Sequence, residues 1–378
     1  MGFLSSKIFL FFLFAASATA SLVFWNQWKH ATRELHVIAA DSDVLQRKIN
    51  ADPPEWMLRQ INEDLRPYAD GISSASLSEA FKGDKVKRFN LVRFTISNGQ
   101  IAVSLDDRNL NRRHFLEFLG CLQKLNQLTK LPDVDFIVSL EDGFDHNPDL
   151  GPCFVFAKRS DTGSLILIPD IKALAGYGKI RQMIPEGNKK HPWEMKVAKG
   201  FWRGSSTGGQ LTALNWDRIA RAKLCLLSLK HPKELDARFH NVVQCDPELP
   251  AMLQAKGLVS GSVDRVDHLK YKYLVDVDGN SCSYERYFWL LLSNSLVLKQ
   301  VTPNVQWYYG GLTPYVHYLP VQEDLSDLVE KIEWARAHDA EAQAMSERAM
   351  QFVRDNLSSE DILLYIYLLF KQYALLQH

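Results

Sequence analysis

A loop rich in glycine, serine and threonine carries the residues best suited to bind an anion. It spans residues 201–209, FWRGSSTGG, where a short strand enters the loop. Backbone N–H groups of such a loop and the dipole of a following helix can hold a phosphate, and Arg203 can add a bidentate contact to a diphosphate. A simple turn is the alternative interpretation. The candidate contacts are Arg203, Gly204, Ser205, Ser206 and Thr207.

A second segment, residues 268–288, also points to an anionic ligand. It reads as a strand, a polar loop and a helix that carries Arg286 in its first turn. Cations normally prefer the other end of a helix, which indicates an anion beside Arg286, with a surface ion pair as the alternative. Asp276-Val277-Asp278 in this segment matches a pattern that binds divalent metals in some enzymes. Carboxylates at a strand end also serve as helix caps, however.

The candidate general base lies in an acidic loop. A buried strand is predicted over residues 135–140, and the loop 141–146, EDGFDH, follows it. Catalytic side chains in α/β folds gather at the carboxyl ends of strands, so Asp142 is placed to accept a proton. Asp145 and His146 are rivals for that role, and each of the three side chains can also serve only to form the turn.

The composition excludes several classes of protein. The 378 residues include 44 Lys+Arg and 44 Asp+Glu, so the formal net charge is +0, and 46% of the residues are hydrophobic. A disordered chain would be less apolar and carry more net charge, and a general nucleic-acid binder would show a basic excess. The length predicts two domains, and no nucleic-acid partner is expected.

Alternating strands and helices must position the candidates. Residues 88–105 predict a hairpin that turns at Asn98-Gly99, and a strand pair is expected at 153–158 and 164–168. Later segments alternate strand and helix, which favours parallel sheets covered by helices. Helices are predicted over 108–129, 211–224, 284–293, 323–355 and 359–376. The last of these is nearly all apolar, and its length favours a buried core helix over a membrane span.

The N-terminus carries a separate apolar segment. Residues 8–28 contain no charged side chain and are long enough to span a bilayer. We predict an uncleaved signal-anchor, with a cleaved signal peptide ending near Ala18-Thr19-Ala20 and a soluble N-terminal helix as alternatives. The chain is therefore expected to be membrane-associated, either at a bacterial inner membrane or in the eukaryotic ER or Golgi.

Four segments together resemble glycosyltransferase family 90, which includes protein O-glucosyltransferases, capsule-associated xylosyltransferases and lipopolysaccharide glycosyltransferases. The resemblance covers most of residues 135–330, and the order and spacing of the four segments are similar to those in the family. The segments are PWEMKVAKGFWRGSSTGG (192–209), ELDARFH (234–240), KYKYLVDVDGNSCSYERYFWLLLSNSLVLK (270–299) and WYYGGLTPYVHYLPVQEDLSDL (307–328).

The resemblance implies a GT-B-like α/β fold, in which two Rossmann-like domains face each other across a cleft. The implied division is a signal segment at 1–29, an acceptor-side domain at 30–185, a nucleotide-sugar domain at 186–345 and closing helices at 346–378. It implies metal-independent, inverting transfer of glucose or xylose from a UDP-sugar, without a cofactor. The expected acceptor is a hydroxyl of a protein or a glycan, such as envelope polysaccharide or lipopolysaccharide.

The family's catalytic aspartate matches Asp142. The neighbours differ, because Glu141 precedes it and Gly143-Phe144 follow it, where members often have a basic residue and an aromatic-Pro pair. His317 is placed near the sugar or diphosphate, whereas Trp193 and Lys196 are expected to position the 204–207 loop. The resemblance assigns the UDP-sugar to Arg203, Gly204, Ser205, Ser206, Thr207, Asp236, Ser283 and Arg286.

Two other functions are weighed against the enzyme. A non-catalytic relative would keep the fold and bind glycan or nucleotide. A nucleotide-dependent dehydrogenase would have the same alternation of strand and helix, but the chain lacks GxGxxG.

Overall fold

The computed structural model describes residues 37–106, 110–144, 148–161 and 163–378. In this part of the chain, the strands form two five-stranded sheets and one two-stranded ladder. The strands are β1 Leu91–Ser97, β2 Gln100–Leu105, β3 Val134–Ser139, β4 Cys153–Val155, β5 Lys158–Arg159, β6 Ile166–Leu167, β7 Val197–Ser205, β8 Leu235–Asn241, β9 Tyr271–Asp276, β10 Leu296–Gln300, β11 Asn304–Val305 and β12 Leu319–Val321.

Helices cover both sheets and connect their strands. The helices are α1 Ser42–Asn50, α2 Glu55–Leu65, α3 Ser74–Ala80, α4 Asp84–Arg88, α5 Arg112–Leu128, α6 Ile171–Leu174, α7 Ile180–Lys190, α8 Ala220–Lys230, α9 Leu249–Ala255, α10 Arg265–His268, α11 Glu285–Leu292, α12 Leu328–Ala337, α13 Asp339–Asn356 and α14 Ser359–Leu375.

The first sheet is mixed, with the order β2-β1-β3-β4-β6. The predicted hairpin is confirmed: β1 pairs antiparallel with β2, and Asn98 and Gly99 have φ values of 49° and 75°, as a tight two-residue turn requires. β1 is also antiparallel to β3, whereas β3, β4 and β6 are parallel. The prediction of a Rossmann-like first domain therefore holds only for these last three strands.

The second sheet is parallel throughout, with the order β12-β10-β9-β7-β8. When the five strands are numbered along the chain from β7, their order in the sheet is 2-1-3-4-5. β8 therefore lies on one side of β7, and β9 lies on the other. Such a reversal opens a crevice at the carboxyl ends of the two central strands, where α/β proteins bind ligands. The predicted parallel sheet is confirmed, and its crevice lies at the ends of β7 and β9.

Two predicted helices are wrong in their bounds. Residues 211–219 form turns before α8, because Asn215 accepts a hydrogen bond from Thr212 N at 2.7 Å and donates one to Gln210 O at 3.1 Å. The predicted helix 323–355 is two helices, α12 and α13, separated by His338. Its Nδ1 lies 2.9 Å from the carbonyl oxygen of Trp334, and its backbone is not helical.

The last helix, α14, closes the first sheet. Phe370 packs against Phe136 and Phe154, with ring centroids 4.8 and 5.8 Å apart. The interpretation as a core helix is thus confirmed. In the described ranges no helix is long and apolar enough to cross a membrane. The apolar segment 8–28 lies outside those ranges, and the predicted domain bounds stay a prediction.

A short antiparallel ladder connects the two halves. β5 lies between β4 and β6 in the chain and pairs with β11 of the second half through Lys158–Val305 and Arg159–Asn304. The predicted strand pair 153–158 and 164–168 corresponds to β4 and β6, which are shorter than predicted. β4 and β6 are parallel neighbours, and β5 leaves their sheet to pair elsewhere.

Candidate functional site

A cleft of about 590 Å³ opens where the carboxyl ends of the two sheets face each other. Asp142, Phe156 and Asp170, which follow β3, β4 and β6, line one wall. The opposite wall includes Arg203 near the end of β7 and the segment after β9. Of the predicted site residues, the structure places Asp142, Arg203, Ser283 and Arg286 in these walls.

The loop after β3 presents Asp142 to the cleft. Glu141 turns away because its carboxylate accepts a hydrogen bond from Asn90 Nδ2. The side chain of Asp142 is 78% exposed, and its Oδ1 lies 3.9 Å from Nε2 of His114. Nδ1 of His114 lies 2.8 Å from both the carbonyl oxygen of Leu140 and Nδ2 of Asn111, and these contacts fix the ring. Asp142 is thus reachable from the cleft and lies close to a fixed imidazole.

The glycine after Asp142 has a steric cause. Gly143 has φ of 141°, and a Cβ built on it would lie 2.5 Å from Ser281 Oγ. Only glycine allows the acidic loop to approach the segment after β9 this closely. Gly143-Phe144 replace the aromatic-Pro pair that is common in the family, and Gly143 allows the two walls of the cleft to come into contact. Asp145 and His146, the rival bases, lie outside the described residues.

Arg286 is a partly buried cation at the first turn of α11. It donates through Nη2 to the carbonyl oxygen of Arg203, and its guanidinium lies 5.7 Å from the ring of Trp202. Burial lowers its pKa, opposed by the charge of Asp276. Among the described side chains Arg286 forms no ion pair, so the positive charge is left for a ligand.

Arg203 is held by the protein and keeps one donor free. Its Nη2 is 2.9 Å from Asp236 Oδ1, and its Nη1 donates to the carbonyl oxygens of Trp202 and Asp236. Its Nε is buried without a partner in the part of the chain described. Asp236 is not in the cleft wall, so its predicted role as a ligand contact is corrected to positioning Arg203.

The predicted phosphate loop is a structural connection. Gly204, Ser205, Ser206 and Thr207 are absent from the described wall of the cleft. Ser206 N donates to Asn241 O, and its hydroxyl both donates to and accepts from the backbone of Val243, at 2.8 Å each. The Thr207 hydroxyl accepts from Arg221 at 2.6 Å. Ser206 and Thr207 therefore already have hydrogen-bond partners within the protein, which favours the turn interpretation.

The paired aspartates after β9 already have a cation. Lys299, whose neighbour across the β9–β10 ladder is Asp276, lies 3.1 Å from Asp276 and 2.9 Å from Asp278. Thr302 and Asn304 also donate to Asp278. Burial opposes the charge on Lys299, but the two carboxylates outweigh it and raise its pKa. The described side chains contain no cluster of three potential metal ligands.

Lys299→Met is expected to lower the free energy of unfolding by about 3–5 kcal/mol, because it leaves two buried carboxylates without their cation. Urea unfolding measures the loss, with Lys270→Met as the control. Lys270 pairs with Asp267 at 2.6 Å, but both are about half exposed, so about 0–1 kcal/mol is expected. If EDTA instead lowered the free energy of unfolding of the wild type, a metal would be bound by Asp276 and Asp278.

Three further predicted residues lie away from the cleft. His317 accepts through Nδ1 from Thr313 N at 2.9 Å and packs 5.4 Å from Phe352, so its predicted position near the ligand is wrong. Trp193 donates to Asp339 at 2.9 Å. Lys196 donates to Leu269 O and Ser295, and burial lowers its pKa to about 7.

Sequence reasoning missed several residues of the wall, notably His114, Asp170, His240, His268 and Tyr284. Burial, with Arg286 and Arg203 nearby, lowers the pKa of His268 to about 3, so this ring adds no positive charge at neutral pH. Asp170 had a signal, because it follows the apolar run ILIP as Asp142 follows its own strand.

The wall contains several buried polar atoms that lack a partner. Within the described ranges these are Arg203 Nε, Ser283 Oγ, Tyr284 Oη and Asp170 Oδ2. Tyr284 also has φ of 49° and ψ of −119°, a costly conformation for a residue with a side chain. Buried polar groups in native proteins normally have hydrogen bonds, so their concentration here indicates that a polar ligand completes the site.

Comparison with known proteins identifies the relatives of this chain. The chain is 32% identical over 304 residues to protein O-glucosyltransferase 2 of Danio rerio, covering 77% of this chain and 57% of that protein. It is 29% identical over 343 residues to human protein O-glucosyltransferase 3, covering 85% and 64%. The chain thus spans about three fifths of the length of these relatives.

A solved glycosyltransferase from Rickettsia africae superposes with a TM-score of 0.36 and 11% identity, covering 73% of this chain and 85% of that one. That score is too low to assign a shared fold. The model of glycosyl transferase family 90 matches residues 51–378. The chain therefore belongs to glycosyl transferase family 90, a family of glycosyltransferases.

Proposed function

We propose that this chain transfers a sugar from a UDP-sugar to an acceptor hydroxyl with inversion and without a metal, in a GT-B-like fold. One observation carries the proposal: the cleft has an exposed carboxylate, Asp142, on one wall and the partly buried cation of Arg286, unpaired among the described side chains, on the other. This separation of charge suits a reaction that removes a proton at one end and releases an anion at the other.

In the proposed reaction Asp142 accepts the proton of the acceptor hydroxyl. The acceptor oxygen then forms a bond to the anomeric carbon, and the bond from that carbon to the diphosphate oxygen breaks on the opposite face. The electron pair leaves with UDP. Arg286 and the free Nε of Arg203 stabilise the negative charge that develops there, as preorganised donors do in a buried site.

Glucose is the donor sugar we favour over xylose, and a protein hydroxyl is the acceptor we favour over an envelope glycan. Both choices rest on the relatives' names, which are protein O-glucosyltransferases. Metal independence is supported by Lys299, which forms ion pairs with both Asp276 and Asp278. Membrane attachment through residues 8–28 remains part of the proposal and rests on the apolar sequence alone.

The test incubates the purified full chain with UDP-glucose, UDP-xylose and other UDP-sugars, with and without EDTA. UDP release and the anomeric configuration of the product are measured. We expect UDP-glucose to be turned over at the same rate in EDTA, with inversion. Failure to bind or turn over any UDP-sugar would refute the enzyme, whereas binding without turnover would favour the non-catalytic relative.

A further inference from the structure

Asp170 occupies an unusual position in the cleft. It follows β6, separated from β3 only by β4, so it lies on the same edge of the first sheet as Asp142. The two carboxylates differ in access, because the side chain of Asp142 is 78% exposed whereas Asp170 is 3% exposed. Asp142 is thus reachable from solvent, and Asp170 is part of the buried floor.

The hydrogen bonds of Asp170 are incomplete. Its Oδ1 caps α6 by accepting from Lys172 N at 2.8 Å and from Ala173 N at 3.4 Å. Its Oδ2 is buried and has no partner in the described part of the chain. Tyr177 Oη and Tyr284 Oη, which both interact electrostatically with Asp170, are likewise buried without partners. A cap needs only one carboxylate oxygen, so the second is available to another donor.

The chemistry of the surroundings selects the ligand. Arg203 and Arg286 attract the anionic part of a donor, whereas the negative charge of Asp170 repels it. A neutral group that donates hydrogen bonds suits Asp170 Oδ2, and the phenol of Tyr284 can accept from or donate to the same group. Sugar hydroxyls have this chemistry. The transferred sugar must also lie between its diphosphate, which is assigned to the wall with Arg203 and Arg286, and the proposed general base Asp142 on the other wall.

We propose that Asp170 is a donor-recognition residue whose Oδ2 accepts a hydrogen bond from a ring hydroxyl of the sugar. The inference rests on the proposed function and adds to it the residue that distinguishes the UDP-sugar from UDP. Asp170 takes no part in proton transfer, because its capping contacts hold it in the floor of the cleft.

The test compares the affinity for UDP-glucose with that for UDP, by calorimetry on the full chain. Asp170→Asn keeps an oxygen to cap α6 but removes the charge and replaces one acceptor by a donor. We expect the affinity for UDP-glucose to fall about 10–100-fold, as for other hydrogen bonds to charged groups. The affinity for UDP, which has no sugar at this place, is expected to stay unchanged and also shows that the variant is folded.

Asp41→Asn is the matched control. Asp41 caps α1 in the same way, accepting from Asp43 N at 2.8 Å and Val44 N at 3.0 Å, but it is not among the described residues of the cleft wall. Both affinities are expected to match the wild type. Asp170→Ser, which retains a capping hydroxyl, is a second variant with the same expected loss.

An unchanged ratio of the two affinities in Asp170→Asn and Asp170→Ser would overturn this inference while leaving the proposed function in place. Loss of UDP and UDP-glucose binding in equal proportion would also overturn it, because Asp170 would then serve the structure of the site. Wild-type protein that binds neither compound would overturn the proposed function itself.

Discussion

Asp142→Asn is expected to lower the rate of sugar transfer by about 10²–10⁴-fold, the usual contribution of a general base. Asparagine has nearly the same shape as aspartate but cannot accept the acceptor's proton. The affinity for UDP should stay close to that of the wild type, because the diphosphate is assigned to the opposite wall. Single-turnover transfer and calorimetric titration with UDP measure the two quantities.

Glu141→Gln is the matched control for this prediction. Glu141 lies in the same loop, but its carboxylate is turned towards Asn90. Transfer by this variant is expected to remain within a few fold of the wild type. If Asp145→Asn abolished transfer while Asp142→Asn retained it, the assignment of the base would be wrong.

The second large effect concerns Arg286. Arg286→Gln is expected to weaken UDP binding by about 2 kcal/mol or more, or about 30-fold in Kd, because it removes a partly buried positive charge beside the diphosphate. The free energy of unfolding should not fall, since Arg286 forms no ion pair with the described side chains and its burial opposes its charge. Titration with UDP and urea unfolding test the two expectations.

Arg238→Gln is the control for Arg286. Arg238 also lies in the second sheet, but it donates to Ser228 and Ala237 and is not among the described residues of the cleft wall. Its replacement should leave the affinity for UDP unchanged. A large loss of unfolding free energy in Arg286→Gln would contradict the prediction, because Arg286 would then serve the fold.

Local pattern was enough to predict the parts of the site that follow long strands. The apolar run before Asp142 and the strand–loop–helix around Arg286 are continuous stretches whose order predicts a strand end facing a cleft. The parallel second sheet follows from the same alternation. These features depend on neighbours within about ten residues, and periodicity describes them well.

Features that depend on distant partners could not be predicted in this way. The loop 204–207 has the composition of a phosphate site, but the backbone of Asn241 and Val243 on or after β8 already satisfies Ser206. The apolar run before Asp170 indicates a strand end, but the strand has two residues and the following helix four, which are too short to show a period. Each outcome depends on sheet register, which a linear sequence does not display.

The ladder between β5 and β11 has a mechanical consequence. It lies beside a second cavity of about 660 Å³, lined by Lys158, Asn304 and Tyr287. Arg286, which precedes Tyr287 in α11, lines the cleft instead. The ladder and the buried helix therefore fasten the halves together on the side of α11 away from the cleft. We expect any rotation of one half against the other to turn about this contact and to change the separation of Asp142 from Arg286 across the cleft.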